Sequence, residues 1–120
     1  MEFIGVIVLA ILIYIYVMMK KLGKNIKQIS SNELKSLLGN NDKQFIDVRT
    51  RGEFKQNHIR QFKNLPLQSL HQNAHKLCKD KEIIVICQSG MRSASACKVL
   101  KKKGFTTVTN VKGGMNSWSN

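Results

Sequence analysis

The sequence predicts an α/β fold: a parallel sheet covered by helices on both faces, preceded by one membrane-spanning helix. Three observations predict it. Apolar β-branched runs alternate with helical patterns along residues 26–120, the signature of a parallel sheet with crossover helices. The strongest run, Ile83-Ile84-Val85-Ile86, reads as a fully buried strand. Ahead of this region, Phe3–Met19 carries no charge and is followed by Lys20, Lys21, Lys24 and Lys27.

The boundaries follow in chain order. Residues 1–20 read as an anchor helix, 21–25 as a basic linker and 26–120 as the folded domain. The charge-free run spans about 26 Å as a helix, the short end of a bilayer crossing. Tyr14 and Tyr16 lie where an aromatic belt would sit. A signal peptide would carry positive charge before the apolar run, and here only Met1 and Glu2 precede it. Lysines after the span and none before it place the domain on the cytoplasmic side of a membrane.

Ile26–Ile29 reads as an edge strand. Ser30-Ser31-Asn32-Glu33 is a capping box that starts a short helix through Leu34, Leu37 and Leu38. Phe45-Ile46-Asp47-Val48 reads as a buried strand ending on polar residues, and Gly52–Gln56 as a helical turn. Leu65-Pro66-Leu67 is a short extended piece, restricted by its proline to an edge or strand end. Ser69–Cys78 has helical spacing through Leu70, Ala74 and Leu77. Ser93–Lys103 is the strongest helix, with Gly104 ending it. Val108–Val111 is the last strand, and a turn with Gly113, Gly114 and Trp118 closes the chain.

The net charge is +13, and residues 29–120 keep 16 basic and 6 acidic residues. Lys98, Lys101, Lys102 and Lys103 share one helix. A solvated face explains them; attraction to an anionic leaflet is the sharper reading. Nucleic-acid binding is not expected, because no aromatics interleave with the basic residues. Three cysteines form no disulfide framework, which suits a reducing compartment. His58, His71 and His75 lack partners at metal-ligand spacing, so no metal and no cofactor is expected.

The chemistry concentrates after the strongest strand, at Cys87-Gln88-Ser89-Gly90-Met91-Arg92-Ser93. This order sets a thiol at the carboxyl end of a buried strand, facing the amino end of a helix, where open α/β sheets bind ligands. Backbone N–H groups in the turn form an anion cradle, and the dipole and Arg92 favour thiolate. A cysteine in such a place can also be plain apolar filler. Cys78 and Cys97 read that way, whereas Cys87 reads as an exposed, activated nucleophile. A second cluster, Asp47, Arg49, Glu53 and His58, follows the other buried strand. Asp47 or His58 could act as general base. An ion-pair network holding the loop is favoured, because a low-pKa thiolate needs no base.

Three segments carry a family resemblance: FIDVRTRGEFKQNHI (45–59), ICQSGMRS (86–93) and VTNVKGGMNSW (108–118). In this order and spacing the chain resembles the rhodanese-like, single-domain sulfurtransferases over residues 26–120. The resemblance implies a three-layer α/β/α fold with a mostly parallel five-stranded sheet and a persulfide carried on the loop cysteine. It makes Cys87 the catalytic nucleophile, Gln88–Ser93 the persulfide-binding cradle, and Asp47, Arg49, Glu53 and His58 supporting residues. Partners are then a small sulfur donor and a thiol acceptor. The chain departs from the family at Ile59-Arg60-Gln61-Phe62, where many members have Ile-Pro-Gly-Ala; the added cation and aromatic change that loop. Two other functions compete. Related phosphatases and arsenate reductases place five residues between cysteine and arginine, and this chain has four. A non-enzymatic docking domain is the other, though it has no need of a thiolate.

Overall fold

The computed structural model describes residues 2–24 and 26–119, with side-chain surroundings for residues 3–19 and 26–119. Helix α1 (Glu2–Lys24) comes first, then strand β1 (Ile26–Ile29), helix α2 (Ser31–Leu37) and strand β2 (Lys43–Asp47). Helix α3 (Arg51–Gln56), strand β3 (Lys63–Asn64) and helix α4 (Leu67–Asn73) follow. Strand β4 (Glu82–Ile86), helix α5 (Met91–Lys102) and strand β5 (Val108–Val111) complete the domain.

The strands form one five-stranded sheet in the order β1-β5-β4-β2-β3, and every pairing is parallel. Alternating side chains split the sheet into two apolar layers. Ile46, Val48, Ile83, Val85 and Cys87 pack with Leu70 and Ala74 and with Ala96, Cys97 and Leu100 of α5. Phe45, Ile84, Ile86, Ile29 and Val111 pack with Leu34 of α2, Ile59, Phe62 and Met115. The layers are those of an α/β/α sandwich, as expected.

The capping box at Ser30 forms, with Glu33 N–H donating to Ser30 Oγ at 3.2 Å. Thr50 and Glu53 form a second box that starts α3. Pro66 is not in a strand; it precedes the first turn of α4, where a missing N–H does no harm. The edge strand β3 is the two residues before Leu65. Helix α4 gives way to a 3-10 turn, Ala74–Lys76, so the helix read through Cys78 is shorter than its spacing suggested.

Three expectations change. The anchor is not supported: among the described residues, no helix is long and apolar enough to cross a membrane. The side chains from Phe3 to Met19 are nonetheless exposed. The stretch read as a basic linker is largely helical, because α1 continues through Lys24; residue 25 lies outside the described residues. Finally, Phe62 belongs to the loop ahead of β3, yet it serves the core. It is buried and meets Phe45 edge-on at 5.3 Å, while Arg60 stays exposed.

Candidate active site

Cys87 follows β4 at the carboxyl end of the sheet. The chain then turns through Gly90, whose φ of +101° only glycine adopts without strain. Helix α5 begins at Met91, two residues earlier than its apolar pattern indicated. The turn aims donors at the sulfur. Gly90 N–H donates to Cys87 Sγ at 3.0 Å, and Ser93 Oγ lies 3.3 Å from Sγ. Burial pushes the Cys87 thiol up, but hydrogen bonds from the Ser93 hydroxyl and from the N–H groups of Ser93, Gly90 and Ser89 outweigh it. The net position is below the ordinary 9.0.

Contrary to the reading of an exposed thiolate, Cys87 is 0 % exposed. The loop shields it from solvent. Cys97 is buried as apolar filler should be, and burial together with the nearby Cys87 pushes its thiol up to about 12. Cys78 is exposed, not filler.

Residues outside the loop lock it. Met115 N–H donates to Cys87 O at 2.8 Å and Asn116 N–H to Gln88 O at 2.9 Å. Gln88 Nε2 reaches Asn116 Oδ1 at 2.6 Å, and Arg49 Nη1 donates to Gln88 Oε1 at 3.3 Å. The Ser93 hydroxyl has one proton and two acceptors, Sγ and Asn110 Oδ1. Asn110 is oriented by its own amide, which donates to Gln28 Oε1 at 3.0 Å and Gly90 O at 3.3 Å. Sequence reasoning missed Asn110, Asn116 and Gln28. A polar residue at a buried position of the last strand was the available signal for Asn110.

Asp47 and Arg49 form a buried pair, Nη2 to Oδ2 at 2.8 Å, at the same end of the sheet as Cys87. Arg49 also donates to Asn57 O at 2.6 Å and Glu53 O at 3.4 Å. Neither hydrogen-bonds the sulfur, and their contacts tie β2, α3 and the loop together. Glu53 faces Arg92 in a two-pronged pair, at 2.7 and 2.8 Å. The Arg92 guanidinium, with Thr50, holds the Glu53 carboxyl at about 2. His58 Nδ1 donates to Phe54 O at 2.8 Å, and its ring stacks on the Phe54 ring. Among the described residues, no group of three or more His, Cys, Asp or Glu could hold a metal. A cavity of about 450 Å³ lies at the amino end of β2, lined by Lys43, Phe45, Lys63 and Lys76, away from the Cys87 loop.

Removing the Ser93 hydroxyl tests the electrostatics. Ser93→Ala should move the pH midpoint of Cys87 alkylation upward and slow alkylation at pH 7 about tenfold, since a hydrogen bond to a charged group contributes about 1.5 kcal/mol. An unchanged pH–rate profile would show that the hydroxyl does not serve the thiolate.

A thiol held by amides at the carboxyl end of a parallel sheet is an arrangement that can support nucleophilic group transfer. The sequence model for the rhodanese-like domain matches residues 30–120, and the chain belongs to this family. It is 40 % identical to the putative sulfurtransferase YtwF of Bacillus subtilis (strain 168), over 78 % of this chain and 90 % of that protein. It is also 40 % identical to the uncharacterized protein YqhL of the same organism, over 62 % of this chain, and spans 60 % of that protein's length. The crystal structure of a rhodanese-like domain protein from Staphylococcus aureus superposes with a TM-score of 0.73 at 31 % identity, covering 79 % of this chain and 93 % of that one. Other relatives are named sulfurtransferase and thiosulfate sulfurtransferase.

Proposed function

We propose that the chain moves sulfane sulfur from a thiosulfate- or persulfide-type donor to a thiol acceptor through a persulfide on Cys87. The observation that carries this reading is the donor set at Cys87 Sγ, with Gly90 N–H at 3.0 Å and Ser93 Oγ at 3.3 Å. Such donors stabilise a thiolate before reaction and a persulfide anion after it. In the first step the thiolate attacks the outer sulfur of the donor. A new S–S bond forms at Cys87, the donor's own S–S bond breaks, and sulfite or a thiolate leaves with the electron pair. In the second step an acceptor thiolate attacks the outer sulfur, and Cys87 leaves as thiolate. Asp47, Arg49, Glu53 and His58 serve by holding the loop. The relatives' names support the reaction class.

Incubation of the protein with thiosulfate or glutathione persulfide should add about 32 Da, the mass of one sulfur, to the peptide containing Cys87. Cys87→Ser should take up none. Failure of every donor to load the wild-type protein would overturn the proposal in favour of a docking domain, and turnover of an aryl phosphate would favour a phosphatase.

A further inference from the structure

Within Cys87–Ser93, Arg92 is the one cation, and it is not free to meet a donor. Both of its terminal nitrogens are engaged by Glu53, Nη1 to Oε1 at 2.7 Å and Nη2 to Oε2 at 2.8 Å. Glu53 is itself fixed. Its Oε1 accepts from Thr50 N–H and from Thr50 Oγ1, both at 3.1 Å, so the carboxylate is pinned to the start of α3. Arg49, which also reaches the loop through Gln88, is buried against Asp47. Gln88, which follows the nucleophile, is neutral and cross-linked to Arg49 and Asn116. The residue before Arg92 is Met91, 77 % exposed and, among the described residues, the one exposed large apolar side chain outside α1. The mouth thus presents a neutralised ion pair and a soft thioether.

We propose that Glu53 is a specificity-determining residue: by occupying Arg92 it turns the site from the thiosulfate dianion toward organic persulfides, which carry one negative charge and an apolar stem. The assignment rests on the sulfur-transfer reading above. Both donors obey the same balance. Thiosulfate gives up its outer sulfur to the Cys87 thiolate and leaves as sulfite, a dianion that needs a cation near the broken bond. An alkyl persulfide anion gives up its outer sulfur and leaves as a thiolate of single charge, with Met91 beside its organic part. Freeing Arg92 adds one net positive charge at the mouth. A charge of this kind raises the local concentration and capture of an anionic substrate about tenfold or more, in a salt-dependent way.

Glu53→Gln is the test. Glutamine keeps an oxygen for the Thr50 capping box, so α3 retains its start. Thiosulfate and benzyl persulfide, a monoanion with an apolar stem, are compared on the full chain, reading kcat/KM and the sulfur gained by Cys87. The wild type should prefer the persulfide. In Glu53→Gln the kcat/KM for thiosulfate should rise about tenfold, through KM, while that for the persulfide changes far less. About 0.5 M salt should erase the gain. Adding Arg92→Gln should return the donor ratio to the wild-type value, a non-additivity that loss of fold would not produce. A donor ratio unchanged in Glu53→Gln, with Cys87 still loading, would overturn the role of Glu53 and leave sulfur transfer standing. Absence of loading from either donor in the wild type would overturn both.

Discussion

Arg49→Met should lower the stability of the domain by about 3–5 kcal/mol, the cost of breaking a buried ion pair by removing one partner. Asp47 is 0 % and Arg49 3 % exposed. The carboxylate accepts from Arg49 N–H at 3.0 Å, Nε at 3.0 and 3.1 Å and Nη2 at 2.8 Å. Methionine fills much of the volume but leaves the carboxylate in the interior with the backbone N–H alone. It also strands Asn57 O, which now receives Nη2 at 2.6 Å. Against a total of about 5–15 kcal/mol for a small domain, the loss is a large fraction. The urea midpoint should fall accordingly, by about 1.5 M or more at a slope near 2 kcal/mol/M. Asp47→Asn in the same background should recover part of the loss, because no unpaired charge is then buried. A midpoint within a few tenths molar of wild type would show that the pair is solvated in solution.

Gly114→Ala should be nearly as damaging and should also disable the site. Gly114 has a φ of +56°, and a β-carbon there would collide with Cys87 O and lie 2.8 Å from the Gln88 carbonyl carbon. Neither side can give way cheaply. The two carbonyls are the acceptors for Met115 and Asn116 N–H. Left-handed backbone costs alanine about 1 kcal/mol, and two strained hydrogen bonds add about 1 kcal/mol each, so a loss of about 3 kcal/mol is expected. The loop should shift with it, and Cys87 should alkylate with the pH profile of an ordinary thiol. Gly52→Ala is the matched control: nothing lies within 4 Å of its would-be β-carbon, and alanine favours the helix. Equal effects at the two positions would remove the argument from close approach.

The sheet and its order of elements were legible because each strand has a clear chemical signature. Ile83–Ile86 is apolar throughout, and Ser30 with Glu33 announces a helix start. Cys87 was legible because Gly90 and the helix after it say where the amides point. Other features were hidden for physical reasons. Thr50 and Glu53 look like surface charge until the second capping box forms. Phe62 did not read as core because its partner, Phe45, is 17 positions away. Arg92 was read as an anion-binding cation because a sequence cannot show that Glu53 reaches it. The anchor was read from the absence of charge over residues 3–19, a pattern that the described helix does not support as a membrane span.

The sheet order has a consequence for synthesis. Strand β1 pairs only with β5, and Asn110 of β5 contacts Gln28, Ser93 and, through its amide, the Gly90 carbonyl. A nascent chain therefore emerges from the ribosome with its first strand unsatisfied and its cysteine unsupported. Completion of these long-range pairings waits for residues 108–111, the slow kind of closure in folding. Until β5 is in place Ser93 lacks its Asn110 partner, so the donor set around the thiol is assembled late in translation.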